Sequence, residues 1–109
     1  MKTIFLNLSD KPSSTWSKDQ LDDLKSYAET CEILDAPFPD IDPKMDKHGI
    51  FNKAFELAEI VQNHSTDFVI VNGEPTFTYE FVKALKKHGV ICMAPCFDSD
   101  GTFVQFREY

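Results

Sequence analysis

From Thr3 to Leu8 the chain runs Thr-Ile-Phe-Leu-Asn-Leu, apolar with little alternation, which predicts a strand covered on both faces. After a polar loop, Ser17-Lys18-Asp19-Gln20 has capping-box spacing: a hydroxyl for an orphan N–H, and a glutamine placed to reach back. Leu21, Leu24 and Ala28 then fall on one helical face. Cys31 to Ala36 reads as a short second strand ended by Pro37. The following Phe38-Pro39-Asp40-Ile41-Asp42-Pro43 lacks the donors for regular hydrogen bonding and is expected to be a rigid loop.

Between Ile50 and Asn63, the residues Phe51, Ala54, Phe55, Ala58 and Val61 recur at helical spacing. Leu57 and Ile60 widen the stripe, so a helix with a broad buried face is predicted. Phe68-Val69-Ile70-Val71 is the most apolar and β-branched run, and it ends at Asn72-Gly73; it is read as the centre of the sheet. Thr76 is placed to cap a helix striped by Phe77, Phe81, Val82 and Leu85, with Lys86, Lys87 and His88 near its negative end and Gly89 as its stop. Val90 to Pro95 reads as a fourth strand. Asp98-Ser99-Asp100-Gly101 is turn sequence, and Thr102 to Glu108 mixes Phe and Val with Gln and Arg, as an antiparallel edge strand does. The order βαβαβαββ, with right-handed crossovers, most simply gives one α/β domain over residues 1–109. Its expected form is a three-layer, doubly wound sheet of order 2-1-3-4-5 with an antiparallel C-terminal edge strand.

Composition narrows the function. A chain of 109 residues with 42% hydrophobic content and ten phenylalanines is built to fold around one core. Eighteen acidic against eleven basic side chains leave a net charge of -7. Such a surface repels phosphate backbones, so general DNA or RNA binding is not expected, although one local pocket remains compatible with a small phosphorylated ligand. Cys31, Cys92 and Cys96 have no CxxC spacing and point to neither a disulfide framework nor a zinc site, which fits a reducing cytoplasm. The opening apolar run breaks at Asn7, too early for a signal segment or a bilayer span, so a cytoplasmic protein away from the membrane is expected. His48, His64 and His88 show no metal-ligand spacing, and neither a metal nor a cofactor is expected. Walker A, GxGxxG and GxSxG patterns are absent, and the residues name no catalytic set.

In an open parallel sheet, ligands bind beyond the carboxyl ends of the strands where strand order reverses, here between the first and third. Two loops follow those strands. The first carries Ser9, Asp10, Lys11, Ser13, Ser14 and Trp16, hydroxyls and one cation for an anionic group and an indole to stack a base. The second carries Gly73, Glu74, Thr76 and Thr78 and opens a helix, whose free N–H groups favour an anion. Glu74 suits a ribose hydroxyl or a general base better than a phosphate. Each residue also has a plain structural role: Gly73 as a turn, Thr76 as a cap, Glu74 as a solvated first-turn acid, Trp16 as a helix-docking aromatic.

Three stretches taken in order, Asn7 to Ser17, Gly73 to Tyr79 and Phe103 to Tyr109, resemble a family of small bacterial proteins labelled CRISPR-associated. That family is related to the CARF-type Rossmann-like domains that sense cyclic oligoadenylates. The resemblance implies a Rossmann-like sensor fold in antiviral defence, a two-fold homodimer, and a small nucleotide as ligand. Some relatives cleave that ligand as metal-independent ring nucleases; in such a reaction Ser9, Lys11 or Thr76 would position the phosphate. The chain departs from the family after its fourth strand, where Ala94-Pro95-Cys96-Phe97 runs straight into the hairpin without the family's Arg-containing segment. Three functions are therefore expected in turn: nucleotide binding without turnover, ring cleavage, or a dimeric interaction module that binds no small molecule.

Overall fold

A computed structural model describes residues 2–64 and 66–109. β1 (Thr3–Ser9), α1 (Lys18–Lys25), β2 (Cys31–Asp35), α2 (Lys47–Gln62), β3 (Phe68–Asn72), α3 (Pro75–Lys87), β4 (Ile91–Phe97) and β5 (Phe103–Glu108) follow in that order. The strands form one α/β sheet of order β2-β1-β3-β4-β5, parallel except for the β4–β5 hairpin, as the alternation of patterns predicts. β3 pairs with β1 from Phe5↔Phe68 to Ser9↔Asn72, so these two strands end level with one another.

Alternation along β3 divides the core. Val69 and Val71 face the layer of α2 and α3 with Leu8 and Cys92, whereas Ile70 faces α1 with Phe5, Met93 and Phe106. α1 begins with the predicted capping box: Ser17 accepts from the Gln20 backbone, and the Gln20 side chain accepts from Ser17 N–H at 3.0 Å. Gly89 ends α3 with φ 78°, a backbone state that glycine adopts without a steric penalty.

Three local expectations are corrected. Leu21, expected on the buried face of α1, is exposed; Gln20 is buried in its place, because its side chain folds back into the cap. Thr76 does not cap α3: Glu74 does, with Pro75 at the first helical position. The buried face of α2 is narrower than its apolar stripe. Ile50, Ala54, Ala58 and Val61 are buried, but Phe51, Phe55 and Ile60 stay largely exposed, because the sheet and α3 cover only one side of the helix.

Candidate functional site

The loops after β1 and β3 meet. Asp10 N–H donates to the carbonyl of Asn72 at 3.2 Å, and Ser9, Asp10, Lys11, Trp16, Gln20 and Asn72 line a common crevice of about 80 Å³. Its geometry is set by Asn7, only 1% exposed at the carboxyl end of β1. The Asn7 amide donates to the Lys11 carbonyl at 2.9 Å and to the Asp35 carboxylate at 2.8 Å, while its oxygen accepts from the Ser9 hydroxyl at 2.7 Å. Ser13 adds its N–H and its hydroxyl to Asp35 at 2.9 and 2.7 Å, which ties the first loop to the end of β2. Desolvation pushes the Asp35 carboxyl up, but the hydrogen bonds from Asn7 and Ser13 outweigh it, and the group lies below its ordinary value. The hydroxyls of Ser9 and Ser13 are therefore already engaged within the protein. Trp16 packs its indole on Phe106, ring centroids 5.6 Å apart, in the α1 layer. Ser14 is exposed in the short 3₁₀ turn, Ser13–Thr15.

The amino end of α3 is likewise occupied by the chain itself. The Glu74 carboxylate accepts from the Thr76 hydroxyl and from Phe77 N–H at 2.8 Å, and these hydrogen bonds hold its pKa below the ordinary carboxylate value. A carboxylate thus stands where a bound anion would meet the free N–H groups of the helix. Gly73 is explained by packing. A Cβ there would lie 2.7 Å from Cδ2 of Phe38 and closer still to Cε2 and Cζ, and the same ring sits edge-on to Phe77 at 5.4 Å. Gly73→Ala is expected to lower stability by about 1–3 kcal/mol, since the Phe38 ring must leave its place. Urea denaturation measures the loss, and a Phe38→Ala background should shrink it, because the ring that obstructs the methyl is then gone.

The large cavity lies one step along the sheet. A groove of about 790 Å³ runs beside α3 from Asn72 and Gly73, at the carboxyl end of β3, to Lys86 and Lys87 in the last helical turn. Lys83, Lys86 and Lys87 line it, and none of its described lining residues is Asp or Glu. Two aromatic side chains contribute. Tyr79 is 65% exposed, with the Lys83 ammonium 5.0 Å from its ring centroid. Tyr109 is anchored through its phenol to the Val71 carbonyl at 2.8 Å and through its N–H to the Cys92 carbonyl at 2.9 Å, and its carbonyl accepts from Lys86 at 3.0 Å. Burial raises the pKa of its phenol above the ordinary value, so Tyr109 stays neutral and able to donate at pH 7. Thr78 is 8% exposed and also lines the groove, and its Oγ1 has no hydrogen-bond partner among the described residues. A buried hydroxyl without a partner carries a desolvation cost that a ligand or an ordered water would relieve.

The structure therefore divides the ten expected site residues. Ser9, Asp10, Lys11 and Trp16 share the small crevice, Gly73 and Thr78 line the large groove, and Glu74 and Thr76 form the cap of α3. Ser13 and Ser14 belong to the turn that leads to α1, where Ser13 braces Asp35. Sequence reasoning missed Tyr79, Lys83 and Tyr109, and assigned Lys86 and Lys87 only to the helix dipole. A legible signal was present: Pro75, Tyr79, Val82, Lys83, Lys86 and Lys87 form a second helical stripe beside the core-facing one. Among the described residues no group of three or more His, Cys, Asp or Glu side chains is placed to hold a metal ion, and no helix is long and apolar enough to cross a membrane.

The model of the family described as "Uncharacterized protein MJ1673 family" matches residues 2–98. No curated protein and no solved structure matches the chain.

Proposed function

Since the chain belongs to the MJ1673 family, whose description assigns no activity, the chemistry of the groove is the guide to function; we propose that the protein binds a small anionic ligand carrying a planar ring, of the nucleotide class, along α3. The observation that carries this reading is the charge of the lining. In a chain of net charge -7, this groove is lined by three lysines and by no Asp or Glu among its described lining residues. The volume is that of pockets that hold cofactor-sized molecules. Phosphate or carboxylate groups would lie toward Lys83, Lys86 and Lys87, and a ring would rest against Tyr79 or Tyr109. The cyclic oligoadenylates implied by the family resemblance fall within this class. The small crevice at Lys11 offers less: about 80 Å³, with Asp10 at its wall.

Isothermal titration with nucleoside phosphates and cyclic oligoadenylates is expected to give a binding isotherm that weakens with added salt. Changing Lys83, Lys86 and Lys87 together to glutamine should lower the affinity about 30- to 100-fold, at a modest ion-pair contribution per lysine. Lys11→Gln should leave it within about twofold, because that ammonium lies outside the groove. Heats equal to the buffer blank for every compound, or an affinity lost with Lys11 and indifferent to the three α3 lysines, would reject the reading. Recovery of intact ligand after incubation separates binding from turnover.

A further inference from the structure

α2 presents more apolar surface to solvent than its own fold uses. Phe51 and Phe55 are 47% and 46% exposed, and their rings stack at 6.1 Å. Phe51 lines a hollow with Lys47, Tyr79 and Lys83, and farther along the same side both phenylalanines line another with Glu59 and Glu80. Lys47, Phe51, Phe55 and Glu59 follow one another at intervals of four and so lie along one flank of the helix, the flank turned toward α3. Charge along this line is segregated: the lysine stands at the amino end, the glutamate at the carboxyl end, and the two rings between them.

Such a line is complementary to itself when run backwards. In an antiparallel pair of α2 helices, the register that seats Phe51 of one copy on Phe55 of the other brings Lys47 of one copy to Glu59 of the other. Both pairs are centred on the same point of the helix, level with Lys53. Lys53 projects from the opposite flank, where its ammonium donates to the Asp40 carbonyl at 2.8 Å, so the two copies of this lysine do not meet at the axis. A two-fold axis makes every contact twice. A parallel pairing would set Lys47 against Lys47 and Glu59 against Glu59, and the opposed helix dipoles also favour the antiparallel arrangement.

From this complementarity we infer that α2 is the seam of an isologous dimer, with Phe51 packed on Phe55 of the second copy and Lys47 paired with Glu59 of the second copy. None of the four seam residues Lys47, Phe51, Phe55 and Glu59 lines the α3 groove, whereas Tyr79 and Lys83 line both that groove and the hollow at Phe51.

Sedimentation equilibrium on the full chain tests it. The wild-type protein is expected to be dimeric at about 100 μM, and Phe55→Glu monomeric at the same concentration. Lys47→Glu and Glu59→Lys should each weaken the dimer about tenfold by setting like charges opposite one another, and the double exchange should return the affinity to within about threefold of wild type. Neither single change harms the helix itself, since a glutamate suits its first turn and a lysine its last; circular dichroism and thermal melts confirm that each variant is folded. A monomeric wild type would overturn the inference. So would a dimer indifferent to Phe55→Glu, or single charge reversals that the double exchange fails to rescue.

Discussion

Phe77→Ala is expected to lower the free energy of unfolding by about 3–5 kcal/mol, a large part of the roughly 5–15 kcal/mol that holds a domain of this kind together. Phe77 is 0% exposed and stacks on Phe81 at 5.4 Å, and it supports the Phe38 ring from the other side. Its removal empties the space between α3 and the loop from Pro37 to Pro43, where the rigid prolines limit how far the chain can close over the gap. Urea denaturation should show a lower midpoint with an unchanged slope. Phe51→Ala, measured as monomer at low concentration, is the comparison: a half-exposed ring leaves no cavity, and the loss should stay near 1 kcal/mol. Similar losses at both positions would contradict the division of the apolar residues described for α2 and α3.

The second large effect is predicted at Asn7. Asn7→Asp should destabilise the protein by about 3 kcal/mol at pH 7, because it removes the amide donor to Lys11 and Asp35 and sets a second carboxylate beside the first. Burial and the neighbouring charge raise the introduced carboxyl above its unfolded value near 4. Between that value and the raised one, the native state holds more protons than the unfolded state, so the stability of the variant falls as pH rises through the window. Asn7→Leu separates the charge from the lost hydrogen bonds. Its penalty includes the contribution of Asp35, whose depressed pKa stabilises the fold above the unfolded value, a contribution lost as pH falls through the folded one. The Asn7→Leu penalty should therefore level off above about pH 5, whereas that of Asn7→Asp should keep growing toward neutrality. Parallel pH profiles for the two variants would show that Asn7 and Asp35 do not interact as described.

Strand order was legible because β1 and β3 are short apolar runs bounded by turn residues, β3 strongly β-branched, and few connections join such runs without crossing. The α3 core stripe was legible because Phe77, Phe81 and Leu85 repeat at the helical period and meet the sheet on one side. Burial on α2 was over-read for a physical reason: periodicity reports which residues share a face, but not how much neighbouring surface exists to cover it. The helix cap was misplaced because Glu is an uncommon N-cap beside Ser, Thr, Asp and Asn; Pro75 was the better marker. The groove stayed hidden because one wall is Tyr109, which reaches the Val71 carbonyl across β4, a contact that only the β4–β5 hairpin brings about. The Asn7 hub was missed because a single asparagine within an apolar strand carries no local sign of its partners.

Trp16, the one tryptophan of the chain, lines the crevice at Lys11 and packs in the layer of α1, on the other side of the sheet from α3. The protein thus carries a built-in fluorophore that discriminates between the crevice at Lys11 and the α3 groove. A ligand seated in the crevice shifts indole emission, whereas one seated along α3 evolves heat while the emission stays silent, so a single titration read two ways locates the occupant without a label or a substitution.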